Sequence, residues 1–328
     1  MSRPGDCDSE VQDEESGGLV GPEPDEYETL IASMGMVDHR GVDWGNVRWT
    51  AYLVHQHMRY EYPGPIRNLH QRLVVIPPPR HGDQRLVTHK LEVSSPGAEV
   101  AEERDASGNL ILSVTVPEVA AAIDFTAWIV VEREGPSGPI PVDAATIANP
   151  GLRAHSRLTT PDRALEDAAT SLASDGDDLA LARTISRWVH ERMRYEHGAT
   201  GVRTDAATAL GLGKGVCQDY AHIMLALCHL RRLAARYVSG HLLGEGGTHA
   251  WVEVLLPDPG DPSGERFLAY PFDPTNDTEP GLNYITVAVG RDYGDVAPTS
   301  GTFTAPFGGQ LSAKKRAGLT ALEYFPVS

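Results

Sequence analysis

An α+β fold preceded by an all-β sandwich is what this sequence predicts, on three observations. Between residues 45 and 145, short runs of alternating apolar residues are separated by Pro- and Gly-rich turns, with no helix-length pattern among them. Two amphipathic helical patterns follow, one within residues 160–193 and one within 217–234. After Arg236 the period of two returns and holds to Phe272. A helix packed on an antiparallel sheet, behind a separate β-rich unit, satisfies all three.

Taken in order, residues 1–44 read as an acidic, largely disordered segment, since Met1 to Glu26 carries nine acidic residues, one arginine and few apolar side chains. Residues 45–148 form the sandwich. Val47, Trp49, Ala51 and Leu53 alternate, as do Leu86 to Val93. Leu110, Leu112, Val114 and Val116 follow the turn Asp105-Ala-Ser-Gly-Asn109, and Ile123, Phe125, Ala127, Ile129 and Val131 make a further strand. Residues 149–300 form the second domain. Thr160-Pro161-Asp162 is a helix start, and Leu181, Ile185, Trp188, Val189 and Met193 line one helical face. A long helix then opens near Cys217, and strands cover Tyr237–Leu243, Ala250–Leu256 and Phe267–Phe272. Residues 301–328 read as a C-terminal extension, too Gly-rich and weakly patterned at its start to assign a role.

The chain has 328 residues, enough for two cores, and a net charge of −17. That charge opposes a nucleic-acid or anionic-membrane partner, because both require a basic surface. The three cysteines, Cys7, Cys217 and Cys228, are too few for a disulfide framework. Cys217 and Cys228 stand about 16 Å apart along one helix, beyond disulfide reach. The first residues lack an apolar leader core and no run of about 18 apolar residues occurs, so a cytoplasmic location is expected.

The chemistry gathers in three segments: Gly213-Lys-Gly-Val-Cys-Gln-Asp-Tyr-Ala-His222, Thr248-His-Ala-Trp251 and Phe272-Asp-Pro-Thr-Asn276. In chain order they supply a cysteine at a helix mouth, a histidine at a strand start and an aspartate at a strand end. Thiol acyl transfer needs a nucleophile, a base and a carboxylate to orient the base, which makes Cys217, His249 and Asp273 a candidate triad. The helix N-terminus favours thiolate over thiol. Cys228, mid-helix among Leu225, Leu227 and Leu230, reads as a packing residue. His222 and His229 share a helix face but lie about 10 Å apart, too far for one zinc ion, and no Cys-x-x-Cys or His-Glu-x-x-His occurs, so no metal is expected. Gly211-Leu-Gly-Lys-Gly215 lacks the spacing of a phosphate-binding loop. No cofactor is expected.

Thr200, Gly215-Val-Cys-Gln-Asp-Tyr-Ala-His222, Ala235-Arg-Tyr-Val-Ser-Gly240, His249-Ala-Trp-Val-Glu253 and Phe272-Asp-Pro-Thr-Asn276 resemble the bacterial transglutaminase-like proteins, across roughly residues 160–290. Tyr60-Glu-Tyr-Pro63, His70-Gln-Arg-Leu73 and Asp105 to Asn109 resemble the β-rich domain that precedes that core. Two departures stand out. Arg232-Leu-Ala-Ala-Arg236 replaces the family's Gly-Ile-Pro-Ala-Arg, and Tyr270-Pro271 stands where a tryptophan is usual. The resemblance implies a transglutaminase-like, papain-related core with Cys217 as nucleophile, His249 as base and Asp273 as third member. It implies a covalent thioester and a peptide, amide or carrier-bound acyl substrate. Hydrolysis of a peptide or amide bond is the leading expectation, with amide-forming transfer to an amine and a non-catalytic interaction module as alternatives. The Cys217 amide is an expected oxyanion donor. Gln218, Trp251 and Asn276 are the further oxyanion or substrate-pocket candidates.

Overall fold

The computed structural model describes residues 35–172 and 176–326. The acidic segment expected over residues 1–44 therefore falls mostly outside the described residues. Residues 35–44 depart from that expectation. Val37 bridges Leu319, and Val37, Val42 and Trp44 pack on the sandwich core, because three apolar side chains within eight residues have surface to bury there.

Sixteen strands are described: β1 Val47–Glu61, β2 Ile66–Leu73, β3 Arg80–His81, β4 Gln84–Val93, β5 Glu99–Arg104, β6 Leu110–Val119, β7 Ala122–Glu134, β8 Ile140–Val142, β9 Arg194–Tyr195, β10 Lys214–Gly215, β11 Ala234–Leu242, β12 His249–Pro257, β13 Phe267–Phe272, β14 Tyr284–Gly290, β15 Thr299–Thr304 and β16 Gln310–Tyr324. Two antiparallel sheets, β16-β1-β7-β4-β3 and β15-β2-β6-β5, face each other as the sandwich. Strand β7 buries Ile123, Phe125, Ala127, Ile129 and Val131 completely, as its alternation predicts. Strand β1 buries Val47 but from there on the opposite set to the one its first apolar residues suggest. Tyr52, Val54, Met58 and Tyr60 point into the core, while Trp49, Ala51 and Leu53 keep partial exposure. A register shift between Ala51 and Tyr52 accompanies that choice of face.

The second unit is an antiparallel sheet, β14-β11-β12-β13-β8. The helix Cys217–Leu230 packs on it, surrounded by the helices Arg163–Ser171, Asp178–Arg192 and Ala206–Leu212. Every residue of the helix from Cys217 to His229 is buried, so packing on all sides holds it. No helix among the described residues is long and apolar enough to cross a membrane.

Three placements correct the boundaries read from sequence. Strand β8, assigned to the 45–148 sandwich, pairs with β13 at the edge of the second sheet. The segment set aside as a 301–328 extension returns to the first unit instead. Strand β15 pairs with β2, and β16 runs along the length of β1, so the chain's last strands complete both sandwich sheets. Strand β14 was not anticipated at all. The pairings of β15 with β2 and of β16 with β1 join residues more than 200 positions apart, and no local pattern encodes them.

The two units are joined through side chains that imitate a neighbouring strand. The free edge of β14 presents unpaired backbone groups, which would cost free energy if buried alone. Gln84 donates to the Thr286 carbonyl at 2.7 Å and accepts the Thr286 N–H at 2.8 Å. Asn109 does the same at Val289, at 2.7 and 2.8 Å. Arg133 donates to the Gly281 and Tyr284 carbonyls at 2.5 and 2.6 Å while paired with Asp83. Tyr52 donates to the Leu282 carbonyl. The sandwich thus holds both β14 and the turn that leads into it.

Candidate active site

Cys217 is the first residue of its helix, with Val216 as cap. The cap has no polar side chain, so Asp219 supplies the anchor from inside the first turn. Its Oδ2 accepts from the Val216 amide at 2.7 Å and from the Thr200 hydroxyl at 2.6 Å. Gly215 is required here, because a Cβ would strike that carboxylate. Burial raises the Asp219 pKa, while the bonds from Thr200 and Val216 hold it down in part. With Asp219 occupied in capping Val216, the amides of Cys217 and Gln218 donate to no group among the described residues. Two free N–H groups therefore flank the sulfur.

His249 opens β12 opposite Gly240 and is buried. Its Nε2 donates to Asp273 Oδ2 at 2.7 Å. The Cys217 thiol and the Glu245 carboxylate both border the same ring. Glu245 Oε2 stands 3.2 Å from Nδ1, within ionic range but out of line for an N–H bond, and Nδ1 has no aligned partner. Burial disfavours the imidazolium, but Asp273, Cys217 and Glu245 outweigh it and raise the His249 pKa.

Asp273 is fully buried and accepts five hydrogen bonds. Besides His249, Oδ2 accepts from Asn276 Nδ2 at 2.8 Å and from the Tyr284 hydroxyl at 2.8 Å. Oδ1 accepts from the Thr275 amide at 2.9 Å and the Asn276 amide at 3.3 Å. The turn is closed by a backbone bridge between Asp273 and Thr278. Burial pushes its pKa up, yet His249, Asn276 and Tyr284 more than compensate and keep it below the usual aspartate value. The charged carboxylate is thus retained in an apolar setting by its donors.

Cys217, His249 and Asp273 therefore converge, while the three pocket candidates part company. Trp251 lies two residues along the same strand face as His249, stacked beside the imidazole with ring centroids 6.2 Å apart, and buried against Tyr284. Asn276 is committed to Asp273. The Asn276 side-chain N–H is thus engaged, whereas the Trp251 indole N–H bonds no described residue. Gln218 is nearly buried and its side-chain amide bonds to no described residue, which leaves it available beside the sulfur. Two residues that sequence reasoning missed are Tyr284 and Glu245. Only the alternation of Ile285, Val287 and Val289 hinted at the strand that delivers Tyr284. His222 and His229 each bond a different backbone group, the Tyr293 amide and the Ala235 carbonyl, and burial pushes both down to about 4.

The description "Transglutaminase-like superfamily" matches residues 166–268, and "Bacterial transglutaminase-like N-terminal region" matches residues 52–132. An uncharacterized protein of Mycobacterium tuberculosis strain H37Rv is 33% identical over 245 residues, which span 66% of this chain and 76% of that protein. The chain belongs to the transglutaminase-like superfamily. An uncharacterized Mycobacterium leprae protein is 37% identical over 143 residues, 40% of this chain and 48% of its own length. Among solved structures, one from Cytophaga hutchinsonii named "Putative Cysteine Protease" has a TM-score of 0.67 at 20% identity, covering 85% of this chain and 93% of that one. At that identity the likeness concerns the fold. The core match ends at residue 268, so in this transglutaminase-like protein Asp273 and Tyr284 lie outside the matched stretch.

Proposed function

We propose that this transglutaminase-like protein is a cysteine-dependent acyl-transfer enzyme that hydrolyses a peptide or amide bond through a thioester on Cys217. The observation that carries the reading is the His249–Asp273 bond of 2.7 Å, inside a five-donor cradle, on the ring that borders Cys217 at a helix start. His249 takes the Sγ proton and the sulfur attacks the carbonyl carbon. The developing oxyanion falls beside the free amides of Cys217 and Gln218, each such donor typically worth about 3 kcal/mol of barrier. Collapse breaks the C–N bond, and His249 returns its proton to the leaving amine. Water, deprotonated by His249, then attacks the thioester and releases the carboxylate, restoring the thiol. Asp273 keeps the proton on Nε2 so that Nδ1 is the working nitrogen.

A second reading, transfer to an amine in place of water, is favoured by Glu245. Its carboxylate is 41% exposed and 3.2 Å from Nδ1, a position from which it can attract an ammonium group to the thioester. Intact-mass analysis with peptide, ester and thioester donors, with and without a primary amine, tests both readings. Donor cleavage through an adduct on Cys217 supports the proposal, and the released acid or new amide identifies the acceptor. No adduct and no turnover across all donor classes would overturn it.

A further inference from the structure

On the seam between the two units lies a cleft of about 260 Å³ whose lining has no part in the triad. Its sandwich side consists of Pro78, Pro79, Arg80 and His81, with Arg104 and the turn through Gly108. The opposite wall is the edge of β14 with Arg236 from β11. Three arginines, Arg80, Arg104 and Arg236, line this space in a chain of net charge −17.

Their charges are not equally neutralised. Arg236 is nearly buried and pairs with Glu253 at 2.6 Å, and His81 also bonds Glu253, at 2.7 Å. The side chains of Arg80 and Arg104 make no ion pair or hydrogen bond among the described residues, and both residues are exposed. Of the two acids adjacent to Arg104, Glu103 and Asp105, the second is committed to its own turn. Its two oxygens accept from the Ser107 amide and from the amide and side chain of Asn109, at 2.7–2.9 Å. Asn109 and Thr286 are in turn occupied by the clamp on β14. What remains is a walled space with two uncompensated cations, and a third behind them. A planar guanidinium matches phosphate and carboxylate oxygens in pairs, which a solvated lysine does not.

We propose that this cleft binds the oxyanion group of a small phosphate- or carboxylate-bearing ligand between Arg80, Arg104 and Arg236. The volume admits such a group and a short organic remainder. Because Arg80 and Arg104 belong to the sandwich and Arg236 to the second sheet, the occupant bridges the two units and stabilises their docking. The site is independent of Cys217 and stands whether or not the chain turns over a substrate.

The test is calorimetric titration of the full chain with inorganic phosphate and, separately, with malonate, at ionic strength fixed by sodium chloride. Saturable one-to-one binding of either anion is expected, with a rise in melting temperature, and the tighter of the two identifies the oxyanion. Arg80→Ala with Arg104→Ala should weaken binding by at least tenfold, about one charge-assisted hydrogen bond's worth. Lys90→Ala, which removes an exposed cation on the outer part of β4, should leave affinity unchanged. If the double alanine variant folds poorly, Arg80→Lys with Arg104→Lys keeps the charge and should still weaken binding through loss of the fork. The absence of saturable binding by both anions overturns the proposal. So does wild-type affinity in a natively melting double variant.

Discussion

Replacing Tyr284 by phenylalanine removes one oxygen from the centre of the site and leaves the ring packing against Trp251 intact. The lost contact is a 2.8 Å bond to Asp273 Oδ2, in a place sealed from water. A hydrogen bond to a buried charge is worth about 1.5–3 kcal/mol, and four donors remain on Asp273, so the lower end applies, about 1.5 kcal/mol. For a domain of this size that corresponds to a drop of about 3–6 °C in Tm. The sign of the pH dependence follows from Asp273, whose folded pKa lies below its ordinary 3.8. Such a group adds stability above its unfolded pKa and loses it as the pH falls through the folded one. Tyr284→Phe raises the folded pKa, so the variant's deficit is full at neutral pH and shrinks as the pH falls below about 4. Thermal unfolding of both proteins from pH 7 down to pH 3 measures it. An unchanged Tm at pH 7, or a deficit that stays constant into acid, refutes the reasoning that Tyr284 serves the Asp273 charge.

Three further outcomes are expected. Glu253 is buried, and although burial raises its pKa, Arg236 and His81 pull it down to about 2. It therefore contributes stability above its ordinary value of 4.5, about 3 kcal/mol by linkage, that disappears between 4.5 and 2; acid titration of unfolding should lose that slope in Glu253→Gln. Asn109→Ala strands the Val289 N–H and carbonyl at the buried seam and should cost about 2–4 kcal/mol, read as a fall in the denaturant midpoint. Iodoacetamide should label Cys217 faster than Cys228, whose thiol burial pushes up to about 12, and peptide mapping of the adducts after brief exposure decides it.

The candidate triad was legible because each member carries a local signal. Cys217 follows glycines at a helix start, His249 follows Gly244, Gly246 and Gly247 into a strand, and Asp273 begins a Pro-containing turn. Alternation located β7 and gave its buried face correctly. In β1 the same signal misjudged the face, since large apolar residues occur on both sides and the pairing with β16 and β7 decides between them. What sequence could not convey was long-range. Tyr284 acts on a residue eleven positions away only because β14 lies beside β11. The clamps from Gln84 and Asn109 exist only once the sandwich meets that strand's open edge. Trp251 stacks beside His249 and Asn276 bonds Asp273, contacts that no sequence spacing specified. The last strands, β15 and β16, resisted reading because each is completed by partners at the other end of the chain.

The central claim is that Cys217 reacts because His249, oriented by Asp273, takes its proton. Acylation of Cys217 by an activated ester, followed by intact mass in single-turnover mode, tests it most directly across wild type, Cys217→Ala and Asp273→Asn. The account predicts one adduct on Cys217 in the wild type and none in Cys217→Ala. In Asp273→Asn, still folded, it predicts acylation slowed by about a thousandfold or more, because the amide favours the wrong imidazole tautomer. Acylation of Asp273→Asn at the wild-type rate, or an adduct carried by Cys228, would contradict it.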